Sequence, residues 1–163
     1  MVGQTKDDMC YPDLDVKKYD QRVWQFKQKP FLAVNVLQLF HVPINLKATI
    51  KYASEQIEKH SLGASSPQMM LYGMEGLFWG KVLFEVQKPH PDDKQNVFLS
   101  GTFLSKSYVG AYSGLSSALS ELSELCKKKF SKTPTEFFFW YVSCKKCSGT
   151  DSNLKTIVFA KIE

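Results

Sequence analysis

Hydrophobic and polar positions along the chain switch between two periods. From Val97 to Leu104 they alternate as in a half-buried strand. After a turn at Gly110-Ala111-Tyr112-Ser113-Gly114, Leu115, Ala118, Leu119, Leu122, Leu125 and Cys126 recur at spacings of three and four. That is the period of one buried helix face. Lys127 to Lys129 follow, where cations suit a helix C-terminus. Beyond Pro134, two runs rich in aromatic and β-branched residues, Glu136 to Val142 and Leu154 to Ile162, predict two further strands.

The earlier half repeats that order. Val23 to Lys27 and Phe31 to Leu39 predict a β-run interrupted at Pro30, with Leu32, Val34 and Val36 on one face. Pro43 introduces a helix with the stripe Leu46, Ile50, Ala53 and Ile57, stopped near Gly63. Met69 to Tyr72 and Leu77 to Val86 predict two strands separated by Gly73 to Gly76. The divisions expected are an irregular arm over 1–22 and one domain over 23–163. Within it the first repeat covers 23–87, a Pro/Asp-containing linker 88–96, and the second repeat 97–163. The fold class predicted is α+β, a tandem strand-helix-strand-strand repeat. Both helices are expected on one face of an antiparallel sheet, with a ligand groove on the other.

The second repeat resembles the latter half of a GyrI-like domain. The likeness rests on a strand, Gly110-Ala111-Tyr112 at the turn into an amphipathic helix, an aromatic strand, and a closing Leu154-Lys155-Thr156-Ile157 strand. The first repeat matches more loosely. The resemblance implies two such units around a small-molecule groove. The family includes effector-binding domains of multidrug-responsive regulators and a hydrolase branch acting on cyclopropane-bearing genotoxins. The aromatic run Phe137 to Val142 leading to Cys144-Lys145-Lys146-Cys147 is similar to that branch. The branch carries an acid just before the Gly-Pro-Tyr-type turn; here Val109 stands there and Ala111 replaces the proline. Regulator-like members carry an acid within the aromatic strand, and Phe139 matches that position.

Composition narrows the picture. The 163 residues fit one domain or two small repeats, and the 44% hydrophobic fraction allows a sizeable core. Twelve phenylalanines within a 13% aromatic fraction point to rings lining a concavity as well as a core. The net charge of +5 comes from scattered lysines, which favours a solvated surface over a direct nucleic-acid groove. No apolar run approaches a membrane span and no signal peptide is evident, so no membrane partner and a cytoplasmic location are expected. No helix-turn-helix precedes the repeats, which argues against a one-chain regulator.

Three groups of residues carry candidate chemistry. Aromatic rings come first. Alternation on the strand from Leu77 places Trp79, Lys81, Leu83 and Glu85 on one face and Phe78, Val82, Phe84 and Val86 on the other. On the strand after Pro134, Glu136, Phe138, Trp140 and Val142 share one face, and Phe137, Phe139 and Tyr141 the other. Both are aromatic, so the sequence does not say which is wet. Trp79, Tyr72, Tyr108, Tyr112, Phe138, Trp140 and Tyr141 are the candidate ligand-binding residues for an aromatic, hydrophobic or cationic small molecule.

Carboxylates come second. Hydrolysis of a strained ring needs a base to activate water, and Glu85 and Glu75 are the candidate catalytic residues in place of the missing acids. The Cys144/Cys147 pair is the third. It suits a zinc knuckle, a redox pair or a loop feature, but no second ligand pair stands at zinc spacing, so no metal and no cofactor are expected. His41, His60 and His90 read as exposed. Cys126 reads as buried. Gly-rich phosphate loops, Gly-x-Ser-x-Gly and His-Glu-x-x-His are missing. The leading function is a stand-alone binder of small molecules. A hydrolase of cyclopropane-bearing electrophiles and a protein-interaction module are the alternatives.

Overall fold

The computed structural model describes residues 11, 13–39, 42–65, 67–74, 77–143 and 149–163. The chain is α+β, with seven strands, paired antiparallel, and two α-helices among the described residues. It divides into two compact units. The middle unit is Gln28–Leu99; the terminal unit joins the segment ending at Lys27 to Ser100–Glu163. The arm and the first strand residues therefore count with the second repeat rather than the first.

The strand β1 (Val23–Leu39) is continuous, where a break at Pro30 was expected. The irregularity sits instead at Gln28, whose φ of 48° lets the chain bend without leaving the strand. Pro30 lacks an N–H, but its carbonyl still accepts from the Val86 N–H at 3.4 Å.

In the middle unit β1 is followed by β2 (Val42–Pro43), α1 (Leu46–Lys59), β3 (Met70–Met74) and β4 (Trp79–Glu85), in the sheet order β2-β1-β4-β3. The register sets Leu32 and Met70 on either side of Phe84, and Val34 and Tyr72 on either side of Val82. Leu32, Met70, Phe84 and Val82 are buried. Phe31, Leu71 and Leu83 of the opposite face are buried as well, Leu83 against the expectation that it shares an open face with Trp79, so both faces of these strands contribute to the core. On α1, Ile50 and Ala53 are buried together with Thr49, while Leu46 and Ile57 are half-buried. The helix ends where Ser61 and Gly63 take φ of 50° and 73°, the left-handed region in which glycine costs least.

His90 is buried, against the expectation of exposure. The cause is a hydrogen-bonded loop. The Asp92 N–H donates to Nδ1 of His90, and the Asn96 side chain both donates to the His90 carbonyl and accepts from its N–H. With Nδ1 accepting, Nε2 carries the proton and donates to Gln56 Oε1 at 3.2 Å. The His60 ring meets His90 edge-on at 4.6 Å.

In the terminal unit β5 (Asn96–Val109, from Ser100 onward), α2 (Leu115–Phe130), β6 (Glu136–Tyr141) and β7 (Lys155–Lys161) give the sheet order β6-β7-β5. Helix α2 buries Ala118, Leu122 and Cys126, and Ser131 in a left-handed conformation (φ 55°) closes it after the three lysines. Burial also pushes the Cys126 thiol pKa up, which keeps it protonated and inert. Gly101 in β5 has φ 118°, and a Cβ there would lie 1.9 Å from the Glu163 carbonyl oxygen. Only glycine fits.

Candidate functional site

Cross-strand register sorts the terminal unit's aromatic residues onto two faces. Leu104, Lys106 and Tyr108 of β5 stand abreast of Ala160, Val158 and Thr156 of β7, and these of Phe137, Phe139 and Tyr141 of β6. This is the face that α2 covers, because Lys106 pairs with Glu121 of the helix at 3.3 Å. Near the start of α2, the Tyr112 ring meets Tyr141 edge-on at 5.3 Å, and Phe139 stacks with Tyr141 at 6.2 Å. Tyr108 donates to the Ala111 carbonyl at 2.7 Å, which fixes the turn. Tyr108, Tyr112 and Tyr141 are thus gathered at one end of the helix-covered face, beside Thr156. The Thr156 hydroxyl is buried with no hydrogen-bond partner among the described residues.

The opposite face carries Phe103, Ser105, Phe159, Phe138 and Trp140. It is covered by the arm. Val16–Tyr19 forms a short 3-10 helix capped by Asp15, and it brings Tyr19 edge-on to Trp140 at 5.6 Å. Tyr11 meets the same indole at 6.3 Å. Tyr19 stacks on Trp24 at 5.9 Å, Trp24 contacts Phe159 at 5.7 Å, and Phe26 contacts Phe103 at 5.0 Å. Hydrogen bonds hold the cover in place. Trp24 Nε1 donates to Ser105 Oγ at 2.8 Å, Ser105 Oγ donates to the Tyr19 carbonyl at 2.5 Å, and the Tyr11 N–H donates to the Val142 carbonyl at 2.7 Å. Trp140 is 1% exposed. Its indole N–H finds no hydrogen-bond partner among the described residues.

The candidates of the middle unit differ. Trp79 is 57% exposed and stands opposite Leu37, itself at the surface. Leu39, Ile44, Leu77 and Phe78 are exposed as well. Phe78 was expected with the buried set. It precedes the first residue of β4 in a bend, where its carbonyl accepts from the Gln38 N–H and alternation does not apply. Tyr72 is buried, and its hydroxyl donates to Gln38 Oε1, whose amide nitrogen in turn donates to the Trp79 carbonyl at 2.9 Å. Burial pushes the Tyr72 pKa up, so the phenol stays neutral. Gly80 leaves room for this pair, since a Cβ would come within 2.8 Å of both polar atoms.

Glu85 is held rather than free. Lys29 Nζ lies 2.8 Å from Oε1, the Met69 N–H donates to Oε2 at 3.2 Å, and Ser65 donates at 3.4 Å. A carboxylate with three donors around it has few lone pairs left to take a proton from water. Glu75, Cys144 and Cys147 lie outside the described residues. No group of three His, Cys, Asp or Glu side chains able to hold a metal occurs among the described residues. No helix there is long and apolar enough to cross a membrane.

Of the seven candidate aromatic residues, Tyr108, Tyr112 and Tyr141 are brought together, while Phe138 and Trp140 face the other way on the same strand. Tyr72 and Trp79 belong to the middle unit. The pattern missed the arm residues Tyr11 and Tyr19, the β1 residue Trp24 and the buried Gln38. The signal was present for the two tyrosines as aromatic residues in a segment without periodicity, and for Gln38 as a lone amide at the end of an apolar strand.

Three solved structures share the fold. An uncharacterized conserved protein from Listeria innocua aligns with TM-score 0.61 at 12% identity, over 89% of this chain and 93% of its own. A hydrolase from Listeria innocua aligns with TM-score 0.62 at 11% identity, over 89% and 92%. The EcmrR C-terminal domain aligns with TM-score 0.64 at 12% identity, over 87% and 96%. No curated protein sequence matches the chain. These neighbours fit a GyrI-like fold. The sequence itself matches the bacterial hydrolase family over residues 1–162, and the chain belongs to that family.

Proposed function

We propose that this protein binds hydrophobic aromatic small molecules on exposed rings, and that Trp79 is the principal contact. One observation carries the reading: Trp79 lies 57% exposed beside Leu37, Leu77 and Phe78, all of them apolar and at the surface. Contiguous exposed apolar patches mark binding sites, whereas single exposed apolar residues need no explanation. A flat aromatic ligand would gain area burial and ring stacking there. The hydrophobic part of the expected specificity has better support than the cationic part. A cation would need a carboxylate, and Glu85 already pairs with Lys29.

Hydrolysis of cyclopropane-bearing electrophiles is the second reading, favoured by the family to which the chain belongs. It requires Glu85 to exchange Lys29 for a water, or Glu75 to act as the base.

Fluorescence titration with Nile red, an uncharged planar aromatic dye, tests the first reading. Trp79→Ala should weaken binding about 10-fold or more, the loss typical of an exposed aromatic anchor. Unchanged affinity in Trp79→Ala would remove Trp79 from the site. Incubation with a cyclopropane-bearing alkylating agent tests the second. Ring-opened product that forms rapidly and disappears in Glu85→Gln or Glu75→Gln, with the fold intact, would replace the binder with an enzyme.

A further inference from the structure

The linker between the repeats is polar along almost its whole length. Between Val86 and Leu99 one residue alone is buried, and it is His90. Residues 87–89 and 91–94 are exposed, so burial of apolar surface does little to hold the segment. Two side-chain hydrogen bonds join it to α1. The Tyr52 hydroxyl donates to Gln95 Oε1 at 3.1 Å, and His90 Nε2 donates to Gln56 Oε1 at 3.2 Å. The first lies in the open, whereas the second is part-buried.

The anchor of the linker is therefore a histidine, and the bonds it makes require one protonation state. Nδ1 accepts the Asp92 N–H at 3.0 Å, which leaves the proton on Nε2, facing Gln56. The Asn96 side chain closes the same turn. It accepts from the His90 N–H at 2.7 Å and donates to the His90 carbonyl at 2.8 Å. A second proton on the ring finds no acceptor in this arrangement. On Nδ1 it would face the Asp92 N–H, donor against donor.

The charged neighbours act in two directions. On α1 the ring meets His60 edge-on at 4.6 Å, and Lys59 precedes His60 in the chain. Both oppose a further positive charge, and the His60 pKa, lowered first by desolvation, points the same way. In the linker, Lys94 adds to that repulsion and Asp92 attracts an imidazolium. The Asp92 carboxylate is already turned to the Lys94 N–H at 3.1 Å and to Gln95 Nε2 at 3.5 Å. For Nδ1–H to reach it, the ring must leave the Asp92 N–H. Attraction and repulsion therefore open the same turn.

We propose that His90 is an acid-released latch: while neutral it holds the linker on the last turn of α1, and on taking up a proton it lets residues 90–96 go. The covalent link between the repeats is thus fixed at neutral pH and loosened in mild acid. The inference is independent of what the exposed rings of the middle unit bind.

The test uses the full chain labelled with 15N between pH 8 and pH 5, the range in which an imidazole changes charge. Asp92 keeps its charge over that range, because the Lys94 N–H and then the Gln95 side chain hold its pKa below the ordinary carboxylate value. At pH 8 the His90 ring nitrogens should report the Nε2–H form. On acidification the Asp92 amide should lose about 10-fold of its protection against hydrogen exchange, corrected for the intrinsic rate. Amides of β3 and β4 should keep theirs, which separates local release from unfolding.

His90→Asn supplies the control, because its Oδ1 can accept the Asp92 N–H as Nδ1 does and does not titrate. The pH step at Asp92 should be absent in this variant and present in His60→Asn. An Asp92 amide equally protected at both pH values, or a ring carrying its proton on Nδ1 at pH 8, would overturn the latch. So would a step that survives in His90→Asn, or one abolished by His60→Asn alone. The first two measurements use the unmodified protein and decide the matter where His90→Asn fails to fold.

Discussion

Trp140 and Trp79 both belong to strands in antiparallel sheets of similar order, yet one is 1% exposed and the other 57%. The difference lies in what covers each strand. In the terminal unit, the sheet face opposite the helix receives Tyr11, Val16 and Tyr19 from an arm that has no hydrophobic period of its own. In the middle unit the core is mainly aliphatic, Leu32, Val36, Met70, Leu71, Val82 and Leu83 around Phe31 and Phe84. Its most exposed rings, Phe78 and Trp79, stand at the start of β4. Two units of one pattern thus place these two tryptophans differently: packed in one, at the surface in the other. Alternation decides which residues share a face. It does not decide what lies on that face.

The sharpest way to break this contrast is within the middle unit. Phe84 is fully buried between Leu32 and Met70, so Phe84→Ala should cost about 3–5 kcal/mol in urea denaturation. A loss below about 1 kcal/mol would mean that this face is not the core and that Trp79 is misassigned to the surface.

The corresponding test of the terminal unit is a backbone one. Gly101→Ala forces a Cβ onto the Glu163 carbonyl at a φ of 118°. The expected loss is about 2–4 kcal/mol, from strain and from displacing the chain end. Stability unchanged in this variant would show that the end of β7 yields freely and does not fix the edge of the sheet.

Much of this division was legible in the sequence. The periods of Leu115 to Cys126 and of Glu136 to Val142 located α2 and β6, and the alternation around Val82 and Phe84 placed those two in the core, but Leu83, assigned to the opposite face with Trp79, is buried as well. Pro30 misled because a proline can sit in a strand when a neighbour takes the bend, and Gln28 does so. Phe78 misled because alternation was extended beyond the end of the strand. His90 misled because burial followed from side-chain hydrogen bonds with Asn96 and Gln56, which leave no hydrophobic period. The cover on Trp140 could not be found from period at all, since it depends on long-range contacts made by a segment of irregular conformation.

Trp79→Ala sharpens the contrast from the other side. An exposed ring contributes little to folding, so stability should change by less than about 0.5 kcal/mol, while Nile red affinity falls. A loss as large as that of Phe84→Ala would show that the ring is packed in solution, and the middle unit would then treat its aromatic residues as the terminal unit does.

The smallest expected effect separates the units by how they are held together. The terminal unit uses an aromatic arm, whereas the middle unit ties its linker to α1 through the histidine pair and Gln56. In the folded protein the His60 pKa lies below its ordinary value, first through desolvation and then through electrostatic interaction with His90 and Lys59. A lowered folded pKa means that the unfolded chain takes up the proton more readily. The contribution is therefore fully present above about pH 6.5, the unfolded value, and declines as pH falls through the folded one. The urea midpoint should be slightly lower at pH 5 than at pH 8, and His60→Asn should remove part of that difference. Carboxylates add an acid dependence of their own, and Asp92 belongs among them. Its pKa is held below the ordinary value chiefly by the Lys94 backbone N–H, then by the Gln95 side chain. That contribution is lost only as pH falls below about 4, so the window between pH 5 and 8 isolates the histidine. Identical midpoint shifts in the wild type and His60→Asn would show that the imidazole pair is not coupled to folding, and that the linker of the middle unit is held by the Asn96 and Asp92 hydrogen bonds instead.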